Sequence, residues 1–216
     1  MTPDTADTET LLAKCAAAID GGAAAIQYRH KDAGASLALA QARAIVALCR
    51  ARGALAIVND DAALAARVDA DGVHVGEDDG DLGRVRAIVG PTRIIGVSCY
   101  DDLNRAEAAV AAGADYVAFG SFFASAVKPG ARRANLAVLH RARDLSVPVV
   151  AIGGIDAGNA ATLFDAGADA LAVITAVFGA TDIEAAARAI ATQYQARAIA
   201  TQCNPPHRGP SFERTP

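Results

Sequence analysis

The feature that most constrains the fold is a short segment that recurs along the chain. Residues 112–117 (Ala-Gly-Ala-Asp-Tyr-Val) and 166–171 (Ala-Gly-Ala-Asp-Ala-Leu) are near copies, and residues 69–73 and 21–26 are looser versions. In each copy a glycine that ends a helix is followed by a continuous apolar run, which is typical of a buried parallel strand. The recurrence predicts a chain in which helices and strands alternate.

Seven apolar runs of strand length fit this alternation. They are a run entering Gln27 and residues 54–58, 73–75, 93–97, 116–119, 148–152 and 171–174. Such a pattern gives either an open doubly wound sheet or a (β/α)₈ barrel. With 216 residues, 53% of them hydrophobic, the chain can form one large domain, which we place at residues 1–200. The first helix is predicted to be capped by Thr8 or Thr10 and to end at Gly21.

Polar side chains follow the first run at alternate positions. Gln27, Arg29 and Lys31 would share one face of an extended strand, with Tyr28 and His30 on the other. An amide, a guanidinium and an ammonium that converge beyond a buried strand predict a phosphate or pyrophosphate site. A strand end with solvated charges is the alternative.

Carboxylates follow the next two strands. Asn59-Asp60 and Glu77-Asp78-Asp79 would lie at neighbouring strand ends, close to the cationic residues. Mg²⁺ is usually bound by one or two carboxylates together with phosphate oxygens and water, so this mixture favours a metal-pyrophosphate complex. The alternative is a solvated acidic turn.

Small residues follow the later strands. Gly153-Gly154 and Thr175 match the position at which many barrels bind phosphate through backbone N–H groups. The loop 120–129 carries Ser125 and Lys128, which could close over an anionic substrate. A tight turn and an ordinary surface lysine are the alternatives.

Two further polar residues lie near predicted strand ends. Ser98 is interpreted as a hydroxyl donor to phosphate, since no Cys/His/Asp arrangement makes it or Cys99 a nucleophile. His74 lies between two valines and is interpreted as a structural residue, outside the catalytic set.

Composition narrows the class of partner. The formal net charge of −4 gives no basic field for nucleic acid, and no apolar run is long enough to span a membrane. The four cysteines form no C-x-x-C pair, which argues against a zinc site or a disulfide framework. We expect a cytoplasmic protein with small-molecule partners, and the sequence leaves a homo-oligomeric state open.

Taken together, these segments resemble the thiamine-phosphate synthase family. The motifs that carry the resemblance are residues 27–31, 59–60, 71–79, 96–98, 115–123, 128–129, 151–155 and 173–176. The resemblance extends from about Thr2 to Ile190. It implies a (β/α)₈ TIM barrel that condenses a pyrimidine diphosphate with a thiazole phosphate.

The resemblance also implies a role for individual residues. The pyrimidine diphosphate would be held by Gln27, Arg29, Lys31 and Asn59, and Mg²⁺ by Asp60 and Asp79. Ser98 and Lys128 would contact pyrophosphate, and the thiazole phosphate would be bound by Ser125, Gly154, Ile174 and Thr175. Arg29, Lys31 and Lys128 are the candidate catalytic residues.

Departures from the family pattern keep other functions open. Glu77 stands where the family usually has Gln, and Val127 where it often has a hydroxyl residue. A catalytically impaired ligand-binding homologue is therefore one alternative. A thiazole tautomerase relative is another, although residues 121–128 lack the histidine that it would use, and a phosphate-sugar epimerase would not need both aspartates.

The two ends of the chain give separate expectations. Residues 1–10 contain no apolar run, whereas a closed barrel of this type has eight strands. We expect a barrel that lacks most of its first strand, because the assigned start lies downstream of the natural one, and that is less stable than a version extended upstream. Residues 204–216, rich in proline and polar residues, are expected to be disordered.

Overall fold

Seven parallel strands form one curled sheet in the computed structural model, which describes residues 1–77, 79, 81–124 and 133–202, with side chains to residue 194. The strands are β1 Ala25–Tyr28, β2 Leu55–Asn59, β3 Gly72–Val75, β4 Ile94–Tyr100, β5 Tyr116–Gly120, β6 Val149–Ile152 and β7 Ala170–Ala172. Each strand pairs in parallel with the next along the chain. The predicted alternating α/β architecture is confirmed.

Helices connect the strands and cover the outer face of the sheet. They are α1 Thr8–Asp20, α2 Ala35–Arg52, α3 Ala62–Arg67, α4 Leu82–Val89, α5 Leu103–Ala111, α6 Leu136–Ala142, α7 Ala160–Ala166, α8 Thr175–Phe178 and α9 Ile183–Gln202. The cap predicted for α1 is wrong. Thr8 is already helical, and the carboxylate of Asp7 accepts the N–H groups of Glu9 and Thr10.

Three aspartates of the recurring segment fix the register of the sheet. Asp71, Asp115 and Asp169 each exchange two hydrogen bonds with one residue of the preceding strand, respectively Ala56, Ile95 and Val149. In each pair the aspartate N–H donates to the partner carbonyl, and the aspartate Oδ2 accepts the partner N–H at 2.8–2.9 Å. We call these pairs the Asp clamps. They join β2 to β3, β4 to β5 and β6 to β7.

The two outer strands of the sheet, β1 and β7, are bridged by the N-terminal residues. The Met1 ammonium donates to the Val173 carbonyl at 3.0 Å, and the Thr2 N–H donates to the Gln27 carbonyl at 2.8 Å. The described strands form one seven-stranded sheet, and the sequence predicted seven strands. The strand predicted at residues 171–174 ends at Ala172 instead.

The core lies between the sheet and the helices. Fully buried side chains include Leu11, Ile45, Val73, Phe119 and Leu163. Cys15, Cys49 and Cys99 are buried in this core. In the part of the chain that the structure describes, every helix is too short or too polar to cross a bilayer. The predicted tail, residues 204–216, lies outside the described residues.

Candidate functional site

A cavity of about 1890 Å³ runs along the inside of the curled sheet and is lined by residues at both ends of the strands. Eight of the predicted site residues line it: Gln27, Arg29, Lys31, Asn59, Asp60, Asp79, Ser98 and Ile174. The polar side chains thus converge from β1, β2, β4 and the residues that follow β1, β2 and β3, and Ile174 adds an apolar side chain after β7. Ser125 and Lys128 lie outside the described residues, so their predicted roles remain predictions.

The cationic residues follow β1 and are held by the N-terminal segment. The Thr2 hydroxyl accepts the Arg29 N–H at 2.9 Å and donates to the Arg29 carbonyl at 3.0 Å. The Asp4 carboxylate lies 3.8 Å from the Arg29 guanidinium and accepts the Lys31 N–H at 3.3 Å. The Arg29 side chain is only 16% exposed. Thr2 and Asp4 therefore fix the direction of Arg29 and the path of the backbone to Lys31.

The opposite face of this segment is anchored in the helical layer. The Tyr28 hydroxyl donates to Gln41 Oε1 at 3.0 Å, and His30 Nδ1 lies 3.2 Å from the same oxygen. Gln41 is fully buried and donates to the Thr5 carbonyl at 2.8 Å. The predicted alternation is confirmed, because Gln27 and Arg29 face the cavity while Tyr28 and His30 face α2.

Two carboxylates meet at the ends of β2 and β3. Partial desolvation, together with a hydrogen bond and charge repulsion from Asp79, raises the pKa of Asp60 to about 6, against an opposing attraction by Arg29. The Gly76 N–H donates to Asp79 Oδ2 at 2.6 Å, which orients that carboxylate. A pair of acidic oxygens that shares a proton is suited to a hard divalent cation, which would displace the proton.

The backbone of Asp60 reinforces this orientation. Its φ of 64° lies in the left-handed region, which aspartate and asparagine tolerate better than most residues, and its N–H donates to the His74 carbonyl at 2.7 Å. Among the described residues no group of three or more His, Cys, Asp or Glu could hold a metal ion. The pair formed by Asp60 and Asp79 is thus the protein's oxygen donor set at this position.

Glu77, the residue that departs from the family pattern, lines the same cavity and pairs with an arginine. Its side chain is 66% exposed and lies 3.7 Å from the Arg105 guanidinium. Arg105 also donates to the Ser98 carbonyl at 2.8 Å and lies over the Tyr100 ring. The extra negative charge is therefore offset by Arg105. Asp78 lies outside the described residues.

A row of hydrogen-bonded side chains crosses the cavity floor. His74 Nε2 lies 2.9 Å from the Ser98 hydroxyl, and Nδ1 lies 2.8 Å from the Tyr116 hydroxyl. The Gln27 side chain bonds to the same Tyr116 hydroxyl. Burial lowers the pKa of His74 to about 4, so its imidazole is neutral at physiological pH. The prediction that His74 is a satisfied buried histidine is confirmed, but its contact with Ser98 was not predicted.

A smaller cavity of about 300 Å³ adjoins the first. It is lined by residues that follow β6 and β7, among them Gly153, Gly154, Ile174 and Thr175, with Ala124 on the opposite side. Gly154 has a φ of 64°, and a Cβ atom there would lie 2.4 Å from the Ala124 carbonyl oxygen. Only glycine allows this approach of the backbone to the loop. Gly153 and Ile174 line both cavities, so the two cavities adjoin each other.

Comparison with known proteins decides the family. A family model described as thiamine monophosphate synthase matches residues 1–177. The chain belongs to the thiamine monophosphate synthase family.

Individual relatives agree with this assignment. The thiamine-phosphate synthase of Thiobacillus denitrificans is 54% identical over 188 residues, which cover 87% of this chain and 89% of the relative. That of Chromobacterium violaceum is 53% identical over 197 residues, with coverages of 91% and 95%. The solved structure of thiamine phosphate pyrophosphorylase from Pyrococcus furiosus matches with a TM-score of 0.80 at 36% identity and covers 86% of this chain and 89% of that one.

More distant structures share the fold alone. A 3-hexulose-6-phosphate synthase matches with a TM-score of 0.68 at 22% identity. Membership of the thiamine monophosphate synthase family thus rests on sequence identity over most of the chain, whereas the barrel-like fold is shared more widely.

Proposed function

We propose that this protein condenses 4-amino-2-methyl-5-hydroxymethylpyrimidine diphosphate with 4-methyl-5-(2-phosphoethyl)thiazole to give thiamine phosphate and pyrophosphate. The observation that carries the proposal is the juxtaposition of two different anion sites. One cavity is lined by Arg29, Lys31 and a carboxylate pair, and the adjoining one by glycine backbone and the start of α8. Two phosphorylated substrates could therefore lie side by side.

The bond that breaks joins the pyrimidine methylene carbon to a diphosphate oxygen. Its electron pair leaves with pyrophosphate, and the resulting pyrimidine carbocation is captured by the lone pair of the thiazole nitrogen. This sequence requires neither a protein nucleophile nor a general base, so the protein's task is to neutralise the leaving group. The lining of the larger cavity supports that role, because it places the cationic side chains of Arg29 and Lys31 and the hydroxyl of Ser98 in the same cavity.

The residues divide this task between them. Arg29 supplies a planar fork and Lys31 a point charge to the diphosphate, and Ser98 donates its hydroxyl proton to the same group. Gln27 and Asn59 orient the pyrimidine half, while Gly154, Ile174 and Thr175 receive the thiazole phosphate. Lys128 and Ser125 would complete the two anion sites from the loop 120–129.

Asp60 and Asp79 fit a magnesium ion. Their oxygens are hard donors, they lie in contact with each other, and Arg29 is close enough to affect the pKa of Asp60. When bound there, Mg²⁺ would offset negative charge on the diphosphate as it leaves. These two carboxylates would hold the cation, and the Gly76 N–H keeps the Asp79 carboxylate in place.

A turnover assay with both substrates and Mg²⁺ tests the function. We expect thiamine phosphate and pyrophosphate to form in equal amounts. A protein that binds either substrate but releases no pyrophosphate would instead be a catalytically inactive ligand-binding homologue.

The smaller cavity gives a selective prediction. Gly154→Ala should raise the KM for the thiazole phosphate about ten-fold or more, since a Cβ atom would contact the Ala124 carbonyl at 2.4 Å and strain a φ of 64°. The KM for the pyrimidine diphosphate should change less than two-fold. Steady-state kinetics with each substrate varied in turn measures both values.

Gly158→Ala is the matched control, because its nearest contact would be the Asp156 carboxylate at 3.3 Å. Equal increases in both KM values for Gly154→Ala would show that the smaller cavity does not select the thiazole phosphate.

A further inference from the structure

Four side chains from four strands form one continuous hydrogen-bonded row beneath the larger cavity. They are Gln27 of β1, Tyr116 of β5, His74 of β3 and Ser98 of β4. Tyr116 is 7% exposed and His74 8% exposed, and their rings stack with centroids 5.5 Å apart. All four side chains line the cavity, and Gln27 and Ser98 are more exposed than the buried His74 and Tyr116.

The position of the imidazole follows from its two hydroxyl partners. Its Nδ1 lies 2.8 Å from the Tyr116 hydroxyl, and its Nε2 lies 2.9 Å from the Ser98 hydroxyl. Because both ring nitrogens are engaged and the ring stacks on Tyr116, the imidazole is held in one orientation. That orientation in turn locates the Ser98 hydroxyl.

The contact with His74 limits how the Ser98 hydroxyl can turn. A serine hydroxyl has one proton and two lone pairs, so it can bond to His74 and to a further group at the same time. Ser98 is partly exposed and lines the larger cavity, so a group bound in that cavity can be its further partner.

We propose that His74 is a positioning residue that holds the Ser98 hydroxyl in place beside the pyrophosphate group. This inference rests on the proposed function, in which Ser98 contacts that group. Preorganised donors favour developing negative charge because they need no reorientation as the charge appears. Gly96 makes the arrangement possible, since a Cβ atom there would lie 1.9 Å from the Tyr116 ring.

A double-mutant cycle tests the coupling between His74 and Ser98. The probe is inorganic pyrophosphate with Mg²⁺, and its Kd is measured by titration calorimetry for the wild type, His74→Asn, Ser98→Ala and the double variant. The shorter asparagine amide reaches toward Tyr116 but not Ser98. We expect each single variant to weaken binding about ten-fold or more, the scale expected when a contacting group or its orienting partner is lost.

The double variant should bind no more than two-fold more weakly than Ser98→Ala, since His74 acts through Ser98. His74→Gln, whose amide reaches the position of Nε2, should recover much of the affinity lost in His74→Asn. His140→Asn, an exposed histidine on α6, is the control and should leave the Kd unchanged. Melting temperatures measured in parallel separate loss of folded protein from loss of the donor.

The inference is overturned if His74→Asn weakens binding by the same factor in the wild type and in Ser98→Ala, or if Ser98→Ala binds pyrophosphate normally. Failure of the proposed function is detected separately. A wild type that binds pyrophosphate but forms no thiamine phosphate from the two substrates would contradict the proposed function. The double-mutant cycle would still report on the coupling between His74 and Ser98.

Discussion

Asp60→Asn and Asp79→Asn should each lower kcat/KM by about 100-fold or more, with a large increase in the Mg²⁺ concentration needed for half-maximal rate. Even groups that support a metal ligand cost 10- to 100-fold when removed, so loss of a ligand should be at least as damaging. Asparagine is the suitable replacement at position 60 because it tolerates a φ of 64°. Turnover measured against Mg²⁺ concentration gives both quantities.

Glu77→Gln is the matched control for these variants. It removes a carboxylate close in sequence, but one that is 66% exposed and directed at Arg105. Its effect should stay within about three-fold, since an exposed ion pair contributes little. If Glu77→Gln proves the most damaging of the three, the assignment of Asp60 and Asp79 as metal ligands is wrong.

Arg29→Ala should lower kcat/KM by about 100-fold or more. Loss of one partner from a mostly buried, charge-assisted contact costs about 2–5 kcal/mol, or roughly 30-fold to several thousand-fold. Arg29 belongs to this class because its side chain is 16% exposed and it faces both Asp4 and Asp60. Arg29→Lys should recover part of the rate, because it keeps the charge and loses the fork.

Arg43→Ala provides the comparison for a cation elsewhere on the same protein. Arg43 is exposed on α2, in the helical layer rather than the cavity, so its removal should leave kcat/KM unchanged. Steady-state rates and melting temperatures of all three variants are needed. A rate in Arg29→Ala close to that of Arg43→Ala would show that Arg29 is a solvated strand-end charge, the alternative considered for this segment.

The sequence predicted the site where a local rule was sufficient. Gln27 and Arg29 were placed on one face by the two-residue period of a strand, and Asp60 and Asp79 were placed together because neighbouring parallel strands end at the same edge. Each inference required only knowing which strand contains the residue and where that strand lies in the order of the sheet. The structure brings these four side chains into one cavity.

Contacts that depend on register or on distant chain segments could not be predicted in this way. His74 meets Tyr116, 42 residues away on a strand that is not its neighbour, and whether the two rings stack depends on the missing side chain of Gly96. Thr2 contacts Arg29 across 27 residues, from a segment without any helix or strand pattern. The α1 cap was mistaken because Asp7, Thr8 and Thr10 all suit that position.

The Asp clamps also bear on how quickly the protein folds. Each joins a strand to its predecessor over a sequence separation of only 15 or 20 residues, so it closes a short loop and should form early. Three such pairs along the chain would give three local nuclei. Replacing Asp71, Asp115 or Asp169 by alanine should therefore slow refolding at least as much as it speeds unfolding, with φ-values of about 0.5–0.8. Stopped-flow folding and unfolding rates measured against denaturant concentration provide the test. If the unfolding rate alone rises in all three variants, the clamps close after the rate-limiting step, and they secure the finished sheet rather than direct its assembly.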